Sequence, residues 1–153
     1  MRRSVAAAAA VVLVLEALGF ALVHWIMGIA VRHQQMSLAG LDPGAMAAGA
    51  WAAGVAMALF LIACAAVLVR MARRDRAPGR VGRIALLLCA VTHGVLGAAL
   101  AAPVGWAAYA VMMVVLGFVV LTLVLYAGQT PQAVRRDAPD GSTPPPPVAP
   151  AAV

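Results

Sequence analysis

Lysine is missing from this sequence, and acid is scarce: of 153 residues, 11 carry positive charge, every one of them arginine, and only 5 are Asp or Glu. Charged residues make up 10%, where soluble domains carry about 25%. With 65% apolar residues and a mean hydropathy of +0.99, a water-soluble globular domain of this length is excluded, because it could not hide so much apolar surface. Cysteine is also scarce, at two residues, which rules out a disulfide scaffold. No Gly-rich phosphate loop, HExxH, GxSxG or CxxC occurs, so no catalytic residue, cofactor or enzymatic activity is expected. The net charge of +6 and the pI near 11.1 would suit nucleic acid, yet the arginines sit at the ends of apolar runs, where they signal membrane topology; no nucleic-acid partner is expected.

What is present is four long apolar runs, at about residues 4–31, 45–69, 84–102 and 104–126, followed by a proline-rich tail over 129–153. The pattern predicts an all-α fold, a bundle of four transmembrane helices with a disordered tail. Met1-Arg2-Arg3 and the alanines behind it resemble a secretory signal, but the run continues past the about 7–15 residues of a signal core into His24, Trp25, Ile26 and Met27, so it reads as a retained span. Asp42-Pro43-Gly44 is a turn in which Asp42 can cap the next helix with Pro43 at its first position. Pro103 and Gly105 split an otherwise continuous run into two spans. Trp106 and Tyr126 fall near the two ends of the fourth span, where aromatic rings favour the headgroup level. Pro144 to Pro147 favour polyproline II; the plain reading is a solvated tail, and the alternative is a ligand for a proline-reading domain.

The stretch from Arg70 to Arg83 fixes the orientation. It holds Arg70, Arg73, Arg74, Arg76, Arg80 and Arg83 against one acid, Asp75, and reads as a basic loop able to attract anionic lipid headgroups. Together with Arg2, Arg3, Arg135 and Arg136 it sets ten arginines against Arg32 alone on the other side, which places the loop and both termini in the cytoplasm and the protein in the plasma membrane.

Inside the spans, polar residues are few. Glu16 and His93 both fall near mid-depth on spans that run the same way, and an isolated carboxylate in hydrocarbon is costly, so the two are expected to form a hydrogen-bonded or ionic pair. His24 and Thr92 are secondary polar positions. Cys89 and His93 have the i, i+4 spacing of metal ligands, and His24 with His93 could flank a haem, but no full ligand set is evident and no metal is expected. Cys64 and Cys89 lie in the cytoplasmic half and read as small apolar fillers rather than a disulfide. On the first span Glu16, Phe20, Val23 and Met27 share a stripe and Trp25 projects to the opposite side, toward lipid. Ala45-Gly49-Ala53 and Ala50-Gly54-Ala58 are small-xxx-small patterns, which predict tight packing among the first three spans and leave the fourth facing lipid.

LEALGFAL around Glu16 is similar, over about a dozen residues, to the first helix of the small multidrug resistance transporters, four-helix proteins with a lone membrane glutamate. That resemblance implies a proton-linked role for Glu16, while the one-sided arginine bias departs from members that insert in both orientations. In layout, with its RDRAPGRVGR loop, the chain looks more like the pool of small, uncharacterised four-helix membrane proteins of high-GC bacteria, which implies a topology and no activity. The leading functional expectation is a structural or accessory membrane protein that contacts itself or a larger membrane partner. The alternatives are a proton-coupled transporter or ion-conducting oligomer using Glu16 and His93, and a haem- or metal-binding redox subunit.

Overall fold

Asp42 starts a helix in the way its neighbours suggest. Its backbone is extended, at φ −60° and ψ 130°, its Oδ2 accepts the Ala45 amide at 2.9 Å, and Pro43 occupies the first helical position, where a missing N–H costs nothing. The computed structural model describes residues 1–35 and 40–128, and among these the helices are α1 (Arg2–His33), α2 (Pro43–Arg74), α3 (Arg80–Ala101) and α4 (Trp106–Ala127), with no strand. Each of the four is long and apolar enough to cross a membrane. The tail expected to be disordered, 129–153, lies outside the described residues.

At a rise of 1.5 Å per residue, the 22 residues of α3 and α4 span about 33 Å, matching the hydrocarbon core of about 30 Å. The 32 residues of α1 and α2 reach about 48 Å, well beyond the thickness of that core. The extension of α2 corrects the expected basic loop. Arg70, Arg73 and Arg74 lie on the last turns of α2, Arg80 and Arg83 on the first turn of α3, and only Arg76 belongs to the connection. Arginine is a good helix former and basic charge favours a helix C-terminus, so nothing ends α2 until Asp75 turns left-handed at φ +50°. The other tight connection turns at Gly105, whose φ of +109° favours a residue without a side chain, so α4 starts at Trp106 rather than at Val104.

The helices pack as a square. α1 lies beside α2 and α4, and α3 beside α4 and, more sparsely, α2; α1 and α3 stand on a diagonal, their Cα atoms nowhere within 8 Å of each other. The expected close trio of first, second and third helices is therefore replaced by two tight pairs, α1 with α2 and α3 with α4. α4 exposes one broad face, with Val114, Val120, Leu121 and Val124 outward, and packs with the other, where Met112, Val115, Val119, Thr122 and Tyr126 are buried at alternating spacings of three and four. The same rhythm runs through Leu86, Ala90, His93 and Gly97 of α3 and Ala6, Ala10, Leu13 and Ala17 of α1, the spacing of side chains that face a helix-bundle seam. In α2 the closely packed glycine is Gly54, where an added Cβ would stand 2.5 Å from His24 Cβ; at Gly28 of α1 it would strike the Trp51 ring. Gly49 meets no neighbour, so the Ala45-Gly49-Ala53 stripe is not a seam.

All four helices thus have one end at the arginines, which we call the basic end, and the other near Trp25 and Trp51. At that second end Trp25 is 59% exposed but not alone: the two indoles stack at 5.7 Å, Trp51 Nε1 donates to the Trp25 carbonyl at 3.2 Å, and the Arg32 guanidinium lies 5.7 Å from a Trp51 ring centroid.

Candidate functional site

Across the diagonal, His93 Nε2 and Glu16 Oε2 are 2.8 Å apart, with side-chain exposures of only 2% and 9%. Two backbones too distant to touch are bridged here by two polar side chains, one from the middle of α1 and one from α3.

The second nitrogen of His93 decides how many protons the pair holds. His93 Nδ1 lies 2.7 Å from the Cys89 carbonyl oxygen, which can only accept, so Nδ1 carries a hydrogen and donates it. One more proton then sits in the bridge between Nε2 and Oε2. If it stays on nitrogen the pair is imidazolium and carboxylate; if it moves to oxygen the pair is neutral imidazole and carboxylic acid. The summed charge is zero either way, which is why so apolar an interior can hold both groups. Each conversion costs only a shift of that proton along one short bond.

Glu16 has a second oxygen with no such arrangement. Oε1 is buried and has no hydrogen-bond partner among the described residues. Glu16 also lines a cavity of about 660 Å³ in the half of the bundle nearer the tryptophans, open to the surface where Val23 and Met27 of α1 are exposed and walled further by Phe20 of α1, Met57 of α2, Leu96 of α3 and Met112 of α4. Buried polar atoms are nearly always satisfied, so an orphan oxygen on a residue that lines a cavity marks a place to receive a donor, whether a proton, water or a ligand N–H or O–H.

The other residues singled out from sequence fall elsewhere. His24 also lines the cavity, but its Nδ1 lies 2.9 Å from the Phe20 carbonyl and its Cβ packs on Gly54. Thr92 is half-buried beside His93 and takes no part in the bridge. Cys64 and Cys89 are buried, free thiols; Cys64 Sγ lies 3.6 Å from the Ala85 carbonyl and Cys89 Sγ 3.6 Å from His93 Nδ1. Both His93 nitrogens are engaged, leaving no lone pair for iron, and no set of three His, Cys, Asp or Glu side chains converges among the described residues.

A second polar cluster, at the basic end, was not legible in the sequence. Arg2 grips Asp75 with two parallel bonds, Nε to Oδ1 at 2.7 Å and Nη2 to Oδ2 at 2.8 Å, and Arg3 Nε lies 3.4 Å from Oδ2. The Tyr126 hydroxyl reaches Asp75 Oδ1 at 3.4 Å and the Met71 carbonyl at 3.5 Å, and the Arg2 guanidinium lies over the Tyr126 ring at 5.6 Å. Tyr126 is accordingly buried rather than set at the headgroups as an anchor. The hydrogen bonds from Arg2, helped by the charges of Arg2 and Arg3, hold the Asp75 carboxyl below its usual range, and the same contact raises Arg2.

Comparison with known proteins returns nothing: no family model, no curated protein and no solved structure matches this chain.

Proposed function

We propose that this chain is a small multi-pass protein of the plasma membrane, with both termini and the basic end in the cytoplasm, in which Glu16 and His93 form a proton-titrating site serving a proton-coupled transporter or an ion-conducting oligomer. The observation that carries this reading is the unpartnered Glu16 Oε1 on a residue lining the cavity. A pair kept only to fix helix register needs no cavity and leaves no acceptor open. A titrating pair needs both, since the ligand or proton that arrives must find a free lone pair within reach of the bridge.

The test is proton flux. Purified protein in liposomes containing a pH-sensitive dye, driven by a potassium diffusion potential, is expected to acidify the interior faster than empty vesicles. Glu16→Gln is expected to bring the rate to background. Background rates for wild type and variant alike would remove this reading.

A second reading has an observation of its own. Because no Cα of α1 comes within 8 Å of one in α3, the Glu16–His93 bond acts as a strut across the diagonal, as a structural or accessory protein that docks laterally on itself or on a larger membrane partner would need. It predicts no flux and a loss of stability in either single variant.

A further inference from the structure

We propose that the groove between α3 and α4 at the basic end is a site for one anionic phospholipid, with the phosphate held by Arg76, Arg80 and Arg83 and an acyl chain laid along Leu87, Val120 and Val124. The groove measures about 850 Å³ and these side chains are among its walls. Arg80, Arg83 and Leu87 follow one another at i, i+3 and i+7 on α3, and Val120 and Val124 at i and i+4 on α4. From Arg80 to Leu87 the helix descends about 10 Å, the step from headgroup to upper acyl chain. One end of the groove therefore offers three guanidinium groups and the other only hydrocarbon.

Charge selects the headgroup. The described acids are Glu16 at mid-span, Asp42 at the far end and Asp75, and Asp75 is already gripped by Arg2 and Arg3. No described carboxylate pairs with Arg76, Arg80 or Arg83, and the first turn of α3 has no acidic residue and no side-chain cap. A choline or ethanolamine headgroup would bring a cation into this field, whereas phosphatidylglycerol brings only the anion it lacks. Leu87, Val120 and Val124 are exposed, so an acyl chain can lie against them without any rearrangement of the helices. The proposal is independent of whether Glu16 titrates and uses only the place of the basic end at a leaflet surface.

Native mass spectrometry of the detergent-purified chain, titrated with phosphatidylglycerol, phosphatidylcholine or inorganic phosphate, tests it. One retained phosphatidylglycerol is expected, with little phosphatidylcholine and no displacement by excess inorganic phosphate. The triple variant Arg76→Gln, Arg80→Gln, Arg83→Gln is expected to weaken retention about a hundredfold, at about fivefold per guanidinium. An equal charge change on α2, Arg70→Gln, Arg73→Gln, Arg74→Gln, is expected to leave retention near wild type. Val124→Trp, which fills the groove with every arginine in place, is expected to reduce it, and carries the test if the groove triple fails to fold. Equal loss in the two triples, equal retention of both lipids, competition by phosphate, or full retention in Val124→Trp would each overturn the site.

Discussion

A carboxylate and an imidazole that share a proton depend on each other in a way that single substitutions expose. Removing one partner leaves the other buried and unpaired, which in protein interiors costs about 3–5 kcal/mol, while replacing both with apolar groups of similar size is close to neutral. His93→Phe is therefore expected to lower stability in detergent micelles by about 3 kcal/mol, and Glu16→Leu with His93→Phe to recover most of it, as read by thermal or denaturant unfolding. A double variant whose loss equals the sum of the two single losses would show that the bond across the diagonal carries no energy. Gly54 gives a second residue-scale outcome. A side chain there runs into His24 Cβ at 2.5 Å, so Gly54→Leu is expected to lose about 1–3 kcal/mol by overpacking, whereas Gly49→Leu, which meets nothing, is expected to fold as wild type. The identity of the polar pair could be read from sequence because both residues sit at mid-span on helices of the same sense. The proton count could not, since it depends on a 2.7 Å contact to the Cys89 carbonyl.

At the scale of elements, apolar run length revealed the four helices, and the Asp42-Pro43 start of α2 was legible because capping is local. Asp42→Ala is expected to cost about 1 kcal/mol, with α2 fraying at its first turn, a change visible in amide exchange. Helix ends at the arginines were harder to read. Charge suggested a loop, but guanidinium side chains extend along a helix and reach the headgroups while the backbone stays helical, so α2 continues to Arg74. The choice of neighbours was not legible at all. In a chain this rich in alanine, small-residue stripes occur on several faces, and only shape decides that Gly54 and Gly28 are used and Gly49 is not.

On the scale of the whole molecule, the clasp of Arg2 and Arg3 on Asp75, with Tyr126 against it, ties α1, α2 and α4 together at the basic end. Its partners are separated by 73 residues, so no local pattern announces it. Because Asp75 is held below its ordinary value of 3.8, its contribution to stability is fully present above about pH 4 and fades as pH falls through the lowered folded value. Melting curves of wild type and Asp75→Asn are therefore expected to differ at neutral pH and to converge in strong acid. Topology is checked separately: a reporter fused to the C-terminus is expected to be active only if it functions in the cytoplasm.

The sequence separation of 77 between Glu16 and His93 also bears on biosynthesis. The ribosome delivers α1 to the insertion machinery long before α3 exists, so for that interval the acid has no imidazole to lean on. An unpaired carboxyl group is costly in hydrocarbon, so the late arrival of α3 with its imidazole is what relieves α1 of that cost.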